Sequence, residues 1–180
     1  MKLSKATVAQ RYGKALFELA EEKQQRQTVL NELREVKKIL IQQPELIRVL
    51  ISKRISYQDK EKVLHILTDS ASFLVANLLQ MLFDYHRIED LSAVIDQYAR
   101  LNDQYEKTVR AQIVTAVALD DVQKEKLTAS FAGLVGAKKI VLEEKIDPQI
   151  IGGVILKSNN RIYDGSLRLR LEQIKRLLLK

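Results

Sequence analysis

The chain has 180 residues, a formal net charge of +7, no cysteine, two histidines and two prolines. The absence of cysteine excludes a disulfide framework and thiol chemistry, and two histidines are too few for a histidine-based metal site without several carboxylates. The amino terminus, MKLSKATVAQRYGK, lacks the apolar core of a secretory signal, and the longest apolar stretch, residues 73–85, is too short and interrupted to span a bilayer. The composition predicts a folded, mostly helical protein that fits cytosolic exposure.

The first predicted helix runs from a Ser4 cap to Lys23 and contains no proline. At 100° per residue, its apolar and small residues cover an arc of roughly 200°, about twice the minimum stripe of a surface helix. These residues are Val8, Ala9, Tyr12, Gly13, Ala15, Leu16, Phe17, Leu19 and Ala20. One neighbouring helix cannot cover so wide an arc.

Five more helices are predicted before residue 108, each from a start signal or an apolar stripe. They are helix two with Val29, Leu33, Val36 and Leu40; helix three from Pro44 to Ile51; helix four, capped by Ser56 with Asp59; helix five over 73–85, after a turn at 69–72; and helix six over 89–107, with Leu91, Val94, Tyr98, Leu101 and Tyr105 on one side. Helix five is polar only over the narrow sector of Asn77, Gln80 and Asp84. Such a helix is either central to a bundle or partly reserved for a partner.

Near Thr108 the hydrophobic period changes from helical to alternating, which is typical of a strand. We therefore expect a domain boundary there, with a mainly helical part over residues 1–107 and a small α/β domain over residues 108–180. The elements predicted for the second part are a strand through Val109, Ala111, Ile113, Thr115 and Val117; a helix from Asp120 to Gly136 with a buried stripe of Leu127, Phe131, Leu134 and Val135; strands over 140–146, 151–157 and 161–164; a hairpin turn at Ser158-Asn159-Asn160; and a last helix capped by Ser166, with Leu167, Leu171, Ile174 and Leu178 in register.

No catalytic constellation is recognisable in the sequence. His65 and His86, predicted on different helices, have no cysteine or serine partner at a motif spacing. The Gly152-Gly153 pair lacks the lysine and hydroxyl residue of a phosphate-binding loop, so a bulge or a close backbone approach is the better interpretation. No pair of carboxylates is spaced for acid–base catalysis. We expect no catalytic residue, no cofactor and no metal.

The residues alone allow more than one role for each of two surfaces. The basic tail lacks the interleaved aromatic residues that stack on bases, so a solvated or protein-facing surface is favoured over nucleic-acid binding. Its basic residues are Lys157, Arg161, Arg168, Arg170, Lys175, Arg176 and Lys180. The excess apolar surface of helices one and five fits either interior helices or a groove for an amphipathic helix of another protein. A basic RNA- or ribosome-associated assembly factor is the alternative, and an unrecognised enzyme is a weaker one.

Three segments resemble the ATP synthase delta (OSCP) family. Residues 9–20, AQRYGKALFELA, resemble its opening pattern, and Thr115-Ala116-Val117-Ala118-Leu119 with Gln123 and Leu127 resembles the strand that enters its second domain. The segment from IDPQIIGG to DGS resembles the carboxyl-terminal signature of the family. Its signature residues are Asp147, Pro148, Gly152, Gly153, Asp164 and Ser166. Gly13, where the family usually has alanine, and the turn Ser158-Asn159-Asn160 depart from the pattern.

The resemblance implies a non-catalytic stator subunit of a rotary proton-translocating ATP synthase. Its first domain would be a six-helix bundle on the catalytic head, with a groove between helices one and five for the amino-terminal helices of the alpha subunits. Tyr12, Ala15 and Met81 are the expected contact residues. The second domain would hold the b-type peripheral stalk and so resist the torque of the rotor. The expected location is the cytoplasmic face of a bacterial cell membrane, with membrane contact only through the complex and no nucleic acid or small-molecule substrate.

Overall fold

The computed structural model describes residues 4–69, 71–158 and 161–179. Within these ranges the chain forms eight α-helices and, near the carboxyl terminus, a four-stranded sheet. The predicted mainly helical fold with a small α/β part is therefore confirmed. The chain divides into two compact units, Met1–Asn102 and Asp103–Lys180, so the division lies a few residues before the change of hydrophobic period.

The first unit is built from helices alone. Its elements are α1 (Lys5–Glu22), α2 (Arg26–Gln42), α3 (Glu45–Ile51), α4 (Tyr57–Thr68), α5 (Phe73–Asp84), a one-turn 3-10 helix (Ile88–Asp90) and α6 (Leu91–Tyr105), whose last residues belong to the second unit. The sixth predicted helix thus begins with a 3-10 turn. Half of α5 is buried: Leu74, Val75, Leu78, Leu79, Leu82 and Phe83. This helix therefore supplies much of the apolar core.

Hydroxyl side chains start α1 and α4. The Ser4 Oγ accepts a hydrogen bond from the Thr7 amide at 3.2 Å, and the Ser56 Oγ accepts one from the Asp59 amide at 3.2 Å. The return bond of a capping box would run from the Ser56 amide to Asp59, whereas here the Ser56 hydroxyl donates to the carboxylate at 2.7 Å. The cap predicted at Ser56 is present, but its reciprocal bond differs. Ser70, in the predicted turn at 69–72, lies outside the described residues.

Tyr98 ties α6 to α1 and α2. Its hydroxyl donates to the Arg26 carbonyl at 3.0 Å, and its ring meets Phe17 edge-on with centroids 5.7 Å apart. Burial raises the pKa of Tyr98 to about 12. Because the hydroxyl has a backbone acceptor, the core accommodates a polar tyrosine without an unsatisfied donor.

Gly13 allows α1 to pack closely on α6. A Cβ at this position would lie 2.8 Å from the Gln97 Cγ and 3.3 Å from the Val94 carbonyl oxygen. The small residue at this position, where the family usually has alanine, therefore serves packing within the chain.

The second unit contains the sheet and two helices. Its elements are β1 (Thr108–Thr115), α7 (Asp121–Val135), β2 (Lys139–Ile146), a one-turn 3-10 helix (Pro148–Ile150), β3 (Val154–Ser158), β4 (Arg161–Asp164) and α8 (Leu167–Leu178). The strand order is β2-β1-β3-β4, with β1 parallel to β2 and the other two pairs antiparallel. β3 begins at Val154 and not at residue 151, because Ile151 and Gly153 have positive φ, which is incompatible with an extended strand. Asn159 and Asn160 of the predicted hairpin turn lie outside the described residues.

The core of the second unit lies between α7 and the sheet. Phe131 is buried against Ala111, Ile113 and Leu156. The predicted stripe of α7 was wrong at Leu134, which is 64% exposed. The other predicted members of the stripe, Leu127 and Val135, lie one turn on either side of Phe131 and do pack against this core.

Candidate protein-binding faces

Exposed apolar side chains of α1 and α5 form the first candidate surface. On α1, Ala15 is exposed, Leu19 is 40% exposed, and Tyr12 is half-buried with its ring packed on the core. The spacings of three and four residues place these positions on one side of the helix. The adjacent flank of α1 carries the buried Leu16 and Ala20. The wide apolar arc therefore serves the core on one flank and is exposed on the other.

α5 also exposes a stripe of residues at helical spacing on one of its sides. Phe73, Asn77 and Met81 recur at intervals of four residues and are exposed, with 70% of Phe73 and 45% of Met81 accessible. We call this set, with Tyr12, Ala15 and Leu19, the α1–α5 face. The structure exposes the predicted contact residues Ala15 and Met81. Sequence reasoning did not select Leu19 and Phe73, although their helical spacing from Ala15 and Met81 was a usable signal.

One contact shows which ends of α1 and α5 lie next to each other. The Lys23 Nζ lies 5.6 Å from the centroid of the Phe73 ring, so the carboxyl-terminal end of α1 lies beside the amino-terminal end of α5. This is a cation–π arrangement. The Leu19 end of the α1 stripe therefore lies toward the Phe73 end of the α5 stripe.

The carboxyl-terminal signature residues build a backbone junction. Gly153 has φ +79°, and a Cβ there would lie 2.3 Å from the Gly165 carbonyl oxygen. The Gly165 amide donates to the Val154 carbonyl at 2.9 Å, and the Leu167 amide donates to the Gly152 carbonyl at 2.9 Å. The close backbone approach predicted at Gly152-Gly153 is present, and it anchors the start of α8.

Acidic side chains complete this junction. The Asp164 Oδ1 accepts the Ser166 amide at 2.9 Å, and the Ser166 Oγ accepts the Leu169 amide at 3.2 Å. The hydrogen bonds from Ser166 hold the pKa of Asp164 below its usual value. Asp147 accepts the Gln149 amide at 3.0 Å and caps the 3-10 helix that begins at Pro148. The strand end, turn and helix cap predicted at Asp164-Gly165-Ser166 are confirmed.

The second candidate surface is the apolar side of α8. Leu167, Leu171, Ile174 and Leu178 lie in register and are 44%, 54%, 52% and 81% exposed. The half-buried Leu169 lies on another side of the helix. We call those four residues the α8 face. α8 is thus held at its start by the glycine junction while its main apolar stripe faces away from its own unit.

The basic residues of the tail frame the α8 face. The Arg168 Nε lies 3.2 Å from the Glu172 Oε1, whereas Arg170, Lys175 and Arg176 are exposed. Lys180 lies outside the described residues. An apolar stripe bordered by arginine and lysine is suited to an amphipathic partner with acidic flanks.

The two histidines lie in different elements of the first unit. His65 is exposed in α4, with its Nδ1 3.9 Å from the Asp69 carboxylate. His86 follows α5 in a turn with φ 55°, which corrects its predicted helical position. In the described part of the chain, no three histidine or carboxylate side chains gather to hold a metal ion. None of the helices described there is long and apolar enough to cross a membrane.

Together, the fold and these faces define a two-unit protein with exposed apolar faces on its helices. The family model described as "ATP synthase delta (OSCP) subunit" matches residues 8–178. The chain belongs to this family. It is a non-catalytic stator subunit of an ATP synthase, as the resemblance implied.

Curated relatives extend over the full length. The chain is 52% identical over 180 residues to the ATP synthase subunit delta of Ligilactobacillus salivarius, covering all of both sequences. It is 41% identical over 179 residues to that of Lactiplantibacillus plantarum, covering 99% of each. These relatives give no support to an RNA- or ribosome-associated factor.

A solved structure shares the fold. A chain of the Toxoplasma gondii mitochondrial ATP synthase hexamer superposes with a TM-score of 0.69, covering 96% of this chain and 97% of that one at 24% identity. At this identity the likeness concerns the fold alone.

Proposed function

We propose that the protein joins the catalytic head of a bacterial ATP synthase to its peripheral stalk through two separate faces. The first domain, residues 1–107, is a six-helix bundle that binds the amino-terminal helix of an alpha subunit. The second domain, residues 108–180, binds b-type stalk subunits. The link transmits no chemical group, and its function is to resist the torque of the rotor at the cytoplasmic side of the cell membrane.

The observation that carries the head contact is the paired stripe on α1 and α5. Leu19, Phe73 and Met81 expose large apolar side chains on two adjacent helices. A groove of this kind receives the apolar side of an amphipathic helix. In it, the half-buried ring of Tyr12 is an aromatic anchor, Ala15 allows close approach, and Met81 adapts to the shape of the partner.

The stalk contact rests on the α8 face. Leu171 and Ile174 are about half exposed although they lie at the centre of the apolar stripe of the helix. The long b-type helices would cover this stripe. Because no residue of α8 is fully buried, a substitution on its face leaves the core of the second unit intact.

Paired substitutions test the head contact. We expect Ala15→Asp to weaken binding of an alpha amino-terminal peptide at least roughly tenfold, because it places a charge in an apolar contact. Tyr12→Ala should also weaken it. The matched control is Gln10→Asp, which adds the same charge to an exposed site on another side of α1. Unchanged affinity of folded Ala15→Asp and Tyr12→Ala variants, judged by helical circular dichroism, would refute the groove.

The stalk contact has its own pair of variants. Leu171→Asp should abolish pull-down of the b-type subunit, whereas Gln173→Asp, on another side of α8, should not. Binding of the alpha peptide should be the same in both. If Leu171→Asp retained the stalk subunit at wild-type affinity, the α8 face would not be the contact.

A further inference from the structure

Met81 is the one sulfur-containing residue of the chain apart from Met1. The sequence has no cysteine, and its two methionines are Met1 and Met81. Met81 therefore carries the chain's internal sulfur. Its side chain is 45% exposed on α5.

The surroundings of Met81 make this sulfur part of a contact surface. Asn77 and Phe73 lie four and eight residues before it on the exposed side of α5, and both are accessible. The neighbouring Leu82 is fully buried in the core. An oxidant can therefore reach Met81 without unfolding the helix, and a change at the sulfur alters the binding surface and not the core.

We propose that Met81 is a reversible oxidation site, and that its sulfoxide closes the α1–α5 face to the alpha-subunit helix before assembly. The oxidant is a peroxide. The thioether sulfur attacks one oxygen of hydrogen peroxide, the O–O bond breaks, and the second oxygen leaves as water after taking up the proton that the sulfur-bound oxygen releases. The sulfur is oxidised by two electrons and the peroxide is reduced. Reduction by a dithiol-dependent sulfoxide reductase restores the thioether.

The effect on binding follows from polarity. A thioether is a soft, weak acceptor that packs well in apolar contacts, whereas a sulfoxide oxygen is a strong acceptor. A docked apolar helix removes water from that oxygen and offers no donor in return. The unassembled subunit is thus the sensitive form, and docking of the helix shields the sulfur. This role of Met81 rests on the groove proposed above.

The test compares the full-length wild type with Met81→Leu, which keeps the size and apolar character of the side chain but cannot be oxidised. Each is treated with hydrogen peroxide, and its Kd for the alpha amino-terminal peptide is measured before and after treatment. We expect the Kd of the wild type to rise roughly tenfold and to recover after sulfoxide reductase treatment. The Kd of Met81→Leu, whatever its starting value, should not change on peroxide treatment. Met81→Gln, which places a polar group there, should bind weakly without peroxide.

A second readout does not depend on affinity. Peptide mass mapping should show Met81 gaining one oxygen in the folded chain at a rate close to that of a free methionyl peptide, and much more slowly when the alpha peptide is saturating. Equal affinities of the oxidised and reduced wild type would refute the switch and leave the groove standing. If the reduced wild type failed to bind the peptide, the groove and the switch would both fall.

Discussion

Gly153→Ala is the substitution for which the structure specifies the result most closely. The backbone at Gly153 has φ +79°, a region that side chains with a Cβ rarely adopt. The added methyl would also lie 2.3 Å from the Gly165 carbonyl oxygen. The contacted oxygen belongs to the backbone, so no flexible side chain can move away to make room for the methyl group.

The cost has two parts. The left-handed conformation costs an alanine roughly 1–2 kcal/mol, and displacing a packed backbone costs roughly 1–3 kcal/mol. We therefore expect the second unit to lose about 2–5 kcal/mol of its free energy of unfolding. For a unit of this size even the lower value lowers the melting temperature by about 10 °C. Differential scanning calorimetry, with amide NMR signals assigned to each unit, measures this loss.

Two other glycines of the same unit are matched controls. Gly136 shares a positive φ, +67°, but a Cβ there would meet nothing within 4 Å, so Gly136→Ala should show the conformational cost alone. Gly133 lies in α7 with open space around it, and Gly133→Ala should stabilise the unit by up to about 1 kcal/mol. Equal stabilities of the Gly153→Ala and Gly136→Ala variants would refute the close approach to Gly165.

Three further substitutions test the packing and the junction. Phe131→Ala should cost the second unit about 3–5 kcal/mol in urea unfolding, because the ring fills its core; a cost below 1 kcal/mol would contradict this packing. Gly13→Ala should destabilise the first unit by about 1 kcal/mol, and the loss should become smaller when Gln97→Ala removes the Cγ atom that would lie 2.8 Å away; an undiminished loss in the double variant would argue against this contact. Because hydrogen bonds from Ser166 lower the pKa of Asp164 in the folded state, its stabilising contribution is present above the unfolded pKa of about 4 and is lost as the pH falls through the folded pKa. Urea unfolding at several pH values measures this loss. Asp164→Asn should make the free energy of unfolding of the second unit depend less steeply on pH in the acid range, and an unchanged pH dependence would refute the assignment.

The helices of the first unit could be predicted because local signals and long-range packing agree there. Ser4 and Ser56 are strong caps, and the apolar stripe of α5 is continuous. The sequence does not show in the same way which part of a wide apolar arc is buried and which part is exposed. Whether Ala15 or Gly13 meets solvent depends on where α6 lies, and helical periodicity carries no information on that position.

The second unit shows the same limit. Asp120 with Gln123 forms the capping box, and Gly136 ends α7 in a left-handed conformation, so both ends of the helix were predictable. The exposure of Leu134 was not, because it depends on where the sheet lies against α7, and helical periodicity carries no information on that position. The glycine pair was interpreted correctly as a close approach, but the sequence does not identify Gly165 as the segment approached. The division of labour between the two faces stays a prediction that rests on exposure and family membership.

The central claim is that one chain bridges two partners through separate faces, and a bridging experiment tests it most directly. The alpha amino-terminal peptide is immobilised, the full-length chain is added, and retention of a soluble b-type stalk subunit is measured. We predict that the wild type retains the stalk subunit. Ala15→Asp should not be held on the peptide but should still bind the stalk subunit in solution, and Leu171→Asp should be held on the peptide without the stalk subunit. Competition between the two partners for the wild type, or loss of both partners from either single variant that remains folded, would contradict the account.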